Sequence, residues 1–534
     1  MIGVPIQAAL PDPSAARRAV EMLRSLRESG QAAAERIDDV IRVLEPGAGA
    51  GAASRVEIFH GYIGVFLVAF AVTLLATPLM RRLAVANGII DRPLEARKAH
   101  RTPVAYLGGV AVYLGLLGAV LFAYTNPLHG LMAVHHSRHD TGPATAGLPV
   151  PLSVVLGMTI IMLVGLLDDV LKISPRIKVA GQLVAAAALA VENVGVKLAS
   201  QVLIPLARAV GIPTTISDGI QTVAFSIPLP LPVMGVDHVP VDVVYWVGTA
   251  LIALFVLGAC NASNLVDGLD GLLSGTTAIA ALGLLIIALT LAFFDDGPLD
   301  SSRIILCLAL LGACLGFLPH NFNPATIFLG DAGSLLLGYC TIVIILTLGD
   351  TGRTNLVLAG LVIYSLPIID TTLAIVRRKV SGRPLSAPDD QHLHHMLRRA
   401  LGVKGAVFVL YVIAGVFAAI GVTLAQTRSR TTFALFLVFA AFIGVTAFKV
   451  ARRRHIEEQA AAFDARRAAR ILAPASPAPT PDPTPPTSPT PPTPATPPHP
   501  AASPLSPTPP APTAATGQTS GTAAPAVAAT ASRS

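Results

Sequence analysis

Four polar clusters interrupt an otherwise apolar chain, and each could do chemistry. The first is Gly165-Leu-Leu-Asp168-Asp169. Neighbouring carboxylates repel, so such a pair is easiest to keep beside a cation. An ordinary polar helix end is the plain alternative, although aspartates are disfavoured at a helix C-terminus. The second is Asn261-Ala-Ser-Asn264-Leu-Val-Asp267-Gly268-Leu-Asp270-Gly271. Its amide and carboxylates recur every third residue and suit Mg²⁺ or the edges of a base or ribose. A tight turn between helices would also use Asn, Asp and Gly. The third is Asn321-Phe-Asn-Pro-Ala-Thr-Ile-Phe328-Leu-Gly330-Asp331-Ala-Gly333-Ser334. An aspartate between glycines at a helix start sets a carboxylate beside free backbone N–H groups, which suits a metal and a diphosphate. An N-cap aspartate looks the same. The fourth is Asp389-Asp-Gln-His392-Leu-His394-His395. A histidine-rich tract reads as zinc binding, as solvation or, with Arg377, Arg378 and Arg383 nearby, as phosphate binding. A further tract, His135-His136-Ser-Arg-His139-Asp140, has no partner cluster and reads as a solvated loop.

The elements that carry these clusters are membrane helices. The 534 residues are 53% hydrophobic and 13% charged, against about a quarter charged in soluble domains. The shortfall comes from apolar runs near the ~20 residues that cross a bilayer as a helix. Eleven spans are predicted, near 58–80, 107–125, 151–167, 179–196, 244–260, 272–294, 304–319, 332–348, 356–376, 406–425 and 432–450. The fold class is therefore an all-α polytopic membrane protein. Lys and Arg concentrate after the first, third, ninth and eleventh spans, as in Arg81, Arg82, Lys172, Arg176, Arg377, Arg378 and Arg452. The positive-inside rule then puts the N-terminus outside and the C-terminus in the cytoplasm. The net charge of +7 is accounted for by topology and anionic lipid, and nucleic acid is not an expected partner.

Residues 1–55 read as a helical and linker extension, with an amphipathic stretch around Ser14–Leu44 and no signal peptide. Residues 56–454 form the membrane domain, and 455–534 are a Pro/Ala-rich tail expected to be disordered in the cytoplasm. Between spans four and five, Phe225–Pro232 and Val239–Val243 suggest a short hairpin. All four cysteines, Cys260, Cys307, Cys314 and Cys340, lie in or beside apolar runs and read as small buried hydrophobes. A transporter would place polar groups at midplane. Here they collect on the predicted inner face, and the outer halves show only Glu192 and Asn193.

In order and topology the four clusters resemble the polyprenyl-phosphate N-acetylhexosamine-1-phosphate transferase family. The resemblance spans about residues 58–450, and Asp91-Arg-Pro…Arg97-Lys98-Ala-His100…Gly108-Gly109 looks like that family's first inner loop. The peptidoglycan branch carries three consecutive histidines followed by Phe-Glu. The pattern His392-Leu-His394-His395-Met396 instead looks like the N-acetylhexosamine branch. Tyr106 stands where many members carry Arg.

The resemblance implies transfer of a sugar-1-phosphate from a UDP-sugar, GlcNAc by default, to polyprenyl phosphate, releasing UMP. This would occur at the cytoplasmic face of the inner membrane, with phospho-MurNAc-pentapeptide transfer as the alternative. It implies Mg²⁺, or Mn²⁺ in its place, on Asp331 and Asp267, and catalytic roles for Asp168, Asp169, Asp267, His394 and His395. It implies substrate contacts from Lys98, His100, Lys178, Asn264, Asp270, Asn321, His392 and Arg377. Asp370 matches a family position to which no role is attached, and a homodimer is compatible with the pattern.

Overall fold

The structure is a computed structural model that describes residues 55–91, 103–125, 148–217, 220–233, 236–294, 300–350, 353–380, 392–427 and 431–446, with scattered positions beyond. The chain divides into two compact units, Met1–Phe463 and Asp464–Ser534, and the elements that follow all belong to the first. Lys98, His100, the His135–His139 tract, the Ser14–Leu44 stretch and nearly all of the tail lie outside the described residues.

The described chain is helical apart from three small antiparallel pairs. In order it runs α1 (Arg55–Ala86), β1 (Ile90–Asp91), β2 (Val104–Ala105), α2 (Gly108–Thr125), α3 (Leu152–Leu171), α4 (Pro175–Val191) and α5 (Lys197–Val210). Strands β3 (Thr215–Ser217), β4 (Ile220–Thr222), β5 (Ala224–Val233) and β6 (Val236–Asp242) precede α6 (Val243–Val266). Then come α7 (Leu272–Phe294), α8 (Asp300–Asn321), α9 (Gly330–Gly349), α10 (Thr354–Ile363), α11 (Ser365–Val380) and α12 (Leu393–Thr427). A final apolar helix, α13, covers Thr431–Thr446.

Ten of the predicted spans each fall mainly on one helix, and the 356–376 span covers two, α10 and α11. Eight of the described helices are long and apolar enough to cross a membrane, and α10 with α11, bent by 76°, makes nine if the pair is one span. The helices α4, with 17 residues, and α13, over 431–446, fall short of the ~20 residues a straight crossing needs. Length and composition therefore do not reach eleven crossings among the described residues. The expected hairpin is present, with β5 and β6 paired from Ala224↔Asp242 onward. Helix α5 does not show among the apolar runs, because it is short and amphipathic.

Helix α9 is the axis of the bundle. Every residue from Ala332 to Gly349 is buried, and α2, α3, α6, α7, α8 and α10 all pack on it. Such density needs small residues where backbones meet. A Cβ on Gly165 of α3 would lie 2.5 Å from the Ala332 backbone of α9. Strand β2 and the start of α2 are stitched to the segment that enters α9: Ala105 C=O accepts from Phe328 N–H at 2.9 Å and Phe328 C=O accepts from Gly108 N–H at 3.0 Å.

The far end of the bundle is more polar than the sequence suggests. Arg303 is fully buried and donates to the Thr347 C=O at 2.9 Å, and buried Asp350 accepts the Gly195 N–H at 3.1 Å. Both groups stand beside polar loop residues, Asp300-Ser-Ser before Arg303 and Thr351-Gly-Arg353 after Asp350, and so read as ordinary ends of apolar runs.

Gly165→Ala should lower the detergent-solubilised melting temperature, at a cost of about 1–3 kcal/mol for overpacking. Gly118→Ala should be neutral, since its Cβ would meet Val72 at an ordinary 3.6 Å. Thermal unfolding of the two variants beside the parent checks the contrast.

Candidate active site

The N-terminus of α9 gathers the first three clusters. The chain enters through Gly330 at φ +68°, a conformation that side chains rarely adopt. A Cβ there would also strike the Asp169 carboxylate at 2.5 Å. Asp331 occupies the first turn of α9. Asp169 Oδ1 accepts the Asp331 N–H at 2.8 Å and its Oδ2 accepts the Ala332 N–H at 3.0 Å. A residue from α3 thus caps α9, satisfying two N–H groups that no turn of the helix itself can reach.

The adjacent carboxylates of α3 point to different tasks. Asp168 faces away from the cap and pairs with Lys178 Nζ at 2.7 Å. Lys172, at φ +52°, ends α3, and Pro175 opens α4 three residues later. That tight corner folds the first turn of α4 back on the end of α3 and delivers Lys178. The same ammonium is bonded to Asp331 Oδ2. Asp331 Oδ1 in turn accepts from Asn264 Nδ2 at 2.8 Å, and Asn264 also reaches Ser334 Oγ at 2.9 Å. Asp168, Lys178, Asp331 and Asn264 therefore form one connected row from α3, α4, α9 and α6.

Beside this row lies a cavity of about 300 Å³, lined by Asn264, Asp267, Asp270, Asn321, Asp331 and His395 together with Asp91, Tyr106, Phe328 and Arg398. Asp267 stands at the C-cap of α6 and accepts no hydrogen bond from the described residues. Burial, reinforced by Asp331, Asp169 and Asp270, pushes its carboxyl up to about 8. Asp270 and Asn321 line the cavity but spend polar atoms on its walls. Asp270 Oδ2 accepts Asn323 Nδ2 at 2.8 Å and the Ala325 N–H at 3.0 Å. Asn321 accepts from the Gly271 N–H at 3.1 Å and Ser274 Oγ at 3.0 Å, and donates to the Ile327 C=O at 3.1 Å.

The histidine tract divides. His395 lines the cavity, while His392 and His394 are buried behind it around Asp370. Arg377 is buried in the last turn of α11 and does not line the cavity. The sequence motifs leave out Arg398, whose signal is its place one helical turn after His395. They name Tyr106 and Phe328 but not their aromatic contact, with centroids 6.2 Å apart. Burial, with Asp91 close by, raises the Tyr106 phenol well above its usual range.

The donors suit a hard divalent cation. Asp331, Asp267 and Asp168 offer carboxylate oxygens and Asn264 an amide, the chemistry preferred by Mg²⁺. Two observations favour a cation here. Asp267 is a crowded carboxylate without a hydrogen bond, and a positive charge, that of Lys178, is already held between Asp168 and Asp331.

Compared with known proteins, residues 151–349 match glycosyl transferase family 4. The chain is 30% identical over 384 residues to a probable undecaprenyl-phosphate N-acetylglucosaminyl 1-phosphate transferase of Bacillus subtilis, covering 71% of this chain and 88% of that protein. It is 31% identical over 375 residues to a decaprenyl-phosphate N-acetylglucosaminephosphotransferase of Mycolicibacterium smegmatis, covering 66% and 80%. A phospho-N-acetylmuramoyl-pentapeptide-transferase of Bacillus cytotoxicus matches at 29% over 337 residues, covering 62% and 87%.

Asp267 gives the site a pH signature. Its folded-state pKa is raised from 3.8 to about 8, so the folded protein holds this proton more tightly than the unfolded chain. The resulting stabilisation is complete below the unfolded value and is lost as pH climbs through the folded one. In a chelator, the melting temperature should fall as pH rises from about 4 to about 8. Asp267→Asn should flatten that slope, and excess Mg²⁺ should raise the parent's curve most at the alkaline end.

Proposed function

This chain belongs to glycosyl transferase family 4, and from that premise we propose that it moves GlcNAc-1-phosphate from UDP-GlcNAc onto polyprenyl phosphate and releases UMP. The first step of a cell-envelope polysaccharide is the biological context. The observation that carries this reading is the Asp168–Lys178–Asp331–Asn264 row at the buried N-terminus of α9, beside a cavity of about 300 Å³.

The reaction exchanges one diphosphate bond for another. An oxygen of the lipid phosphate bonds to the β-phosphorus of the donor, and the bond from that phosphorus to the bridging oxygen breaks. The oxygen leaves with UMP. Both reactants are anions, so the barrier is mainly one of approach and charge, and positioning with electrostatic stabilisation does most of the catalysis. A divalent ion, when bound, would neutralise charge on the diphosphate, with Asp331 and Asp267 holding it and Asn264 steadying Asp331.

Lys178 is set to hold the acceptor phosphate. Its ammonium lies between Asp168 and Asp331, so a cation entering between those carboxylates would free it to turn to an incoming anion. Asp168 stands where it can take a proton from the lipid phosphate. Asp169 works through structure, since its cap fixes the backbone that carries Asp331. His395 and Arg398, at the cavity wall, are placed for the sugar diphosphate.

Basic residues support a cytoplasmic site. Arg81 and Arg82 near the end of α1, Lys172 and Arg176 at the α3–α4 corner, and Arg377 and Arg378 at the end of α11 follow the helix ends predicted to face inward. This assignment gives a multi-pass protein of the inner membrane with its C-terminus in the cytoplasm. His392-Leu393-His394-His395 supports GlcNAc over the muramoyl-pentapeptide donor.

The decisive assay is exchange of labelled UMP into UDP-GlcNAc by membranes holding the expressed protein, polyprenyl phosphate and Mg²⁺. Exchange should require the metal. Asp331→Asn and Lys178→Gln should each lower it by about 10²–10³-fold, the usual loss on removing one group that stabilises developing charge. Exchange only with UDP-MurNAc-pentapeptide would keep the mechanism and change the donor. No exchange with any UDP-sugar from folded protein would sink the proposal.

A further inference from the structure

One buried carboxylate ties α11 to the start of α12. Asp370 is 2% exposed, and the imidazoles around it, His392 and His394, are 5% and 3% exposed. Asp370 Oδ1 accepts the Leu393 N–H at 2.9 Å, its Oδ2 lies 3.1 Å from His392 Nδ1, and His394 Nδ1 approaches the same oxygen at 3.5 Å. Burying a carboxylate is costly unless its oxygens are satisfied, and here both are engaged by the segment that leads to His395.

The chemistry of the donors fixes which atoms face where. An ionised carboxylate only accepts, so His392 must carry its proton on Nδ1 to bond to it. Among the described residues His394 Nδ1 is buried without a hydrogen bond, and this oxygen is the acceptor it approaches. Its opposite nitrogen then points elsewhere, and the structure shows the direction. A Cβ on Gly268 would sit 2.3 Å from His394 Nε2. The Nε2 of His394 therefore lies against the turn that carries Asp267. That turn has a glycine where any side chain would push the imidazole away.

We infer that Asp370 is a positioning residue for the transfer reaction: it holds the His392 and His394 rings by their Nδ1 sides and so aims His394 Nε2 at the Asp267 turn. The inference rests on the transferase reading above. It assigns to Asp370 a task carried out entirely through the histidines, since Asp370 itself does not line the cavity. It also explains why α11 is bent away from α10 by 76°: the bend brings residue 370 under the first turn of α12. The three ligand atoms do lie within 4.8 Å of one another, as a metal would need. Three donors are one short of a closed structural zinc site, and the second Asp370 oxygen is already taken by Leu393.

The test uses full-length protein in membranes and compares D370N, D370E, H394A and the D370N/H394A pair. Asparagine keeps the volume, but its amide accepts on one side only: either its NH2 faces the two rings, which must then change tautomer or turn, or it faces the Leu393 N–H and breaks the tie to the start of α12. D370N should lower kcat by about 10–100-fold, the usual effect of losing a partner that orients a functional histidine. The KM for UDP-GlcNAc and the melting temperature should stay near the parent's. The double variant should lose no more than the worse single variant, because Asp370 acts through His394. D370E, which keeps the charge at a different reach, should recover part of kcat and serves as the reading if D370N fails to accumulate. Near-parental kcat in either folded variant would overturn the inference. So would losses that multiply in the pair, a loss that tracks a lowered melting temperature, or one equivalent of zinc in the purified parent that vanishes in D370N. If the parent itself transfers nothing, it is the transferase reading that has failed.

Discussion

Like charges forced together at one helix end are the constraint on which this structure turns. Asp168, Asp169, Asp267 and Asp331 meet around the N-terminus of α9, where repulsion would scatter them if nothing opposed it. Three kinds of positive potential hold them. The backbone N–H groups of Asp331 and Ala332 bind Asp169, the Lys178 ammonium binds Asp168 and Asp331, and the Asn264 amide binds Asp331. Asp267 is left with burial and no donor among the described residues, which is why its carboxyl is driven up to about 8. The site is thus an anionic cup with one protein cation, Lys178, already held between two of its carboxylates.

Much of this is legible in the chain itself. The clusters stand out because polar residues are expensive beside apolar spans, and their order carries the family resemblance. The hairpin is legible from alternation and proline. What escapes are relations between residues distant in sequence. Nothing near Asp169 says that it caps a helix beginning 161 positions later at Gly330, given that its bond to the Asp331 N–H spans 162. Nothing near Asp370 names His392. Asp270 and Asn321 line the cavity, and the sequence does not show that they also bond to Asn323, Ala325, Gly271, Ser274 and Ile327. Arg303 escapes for another reason: it follows Asp300-Ser-Ser at the edge of the 304–319 run, where a charge looks like an ordinary helix end.

The shape of two of the predicted spans is a further relation that hydropathy does not carry, and the cause is physical. Hydropathy finds apolar stretches, but α4 and the α10–α11 pair are shaped by the site they serve. Helix α4 must begin at Pro175, immediately after α3, so that Lys178 can return to Asp168. The pair α10–α11 is bent, and Asp370 of α11 meets His392. These two departures from a straight crossing, unlike the short α13, occur where a side chain meets a partner from a neighbouring element.

The burial of α9 explains why the far end of the bundle is polar too. A helix with every residue from Ala332 to Gly349 buried cannot leave its terminal groups to water, and each unpaired group would cost about 1–3 kcal/mol. Its partners must therefore come from other helices at both ends. At the start, a carboxylate of α3, Asp169, takes the first N–H groups. About 24 Å away, at 1.5 Å per residue, the guanidinium of α8, Arg303, takes the Thr347 C=O in the last turn. Asp169 at the N-terminus and Arg303 at the C-terminus each complement the helix dipole, although buried Asp350 also stands at the C-terminal end. The buried arginine is then the counterpart of Asp169. The two clamp opposite ends of one helix, and the precision with which Asp331 meets Lys178 and Asn264 depends on α9 being unable to slide along its axis.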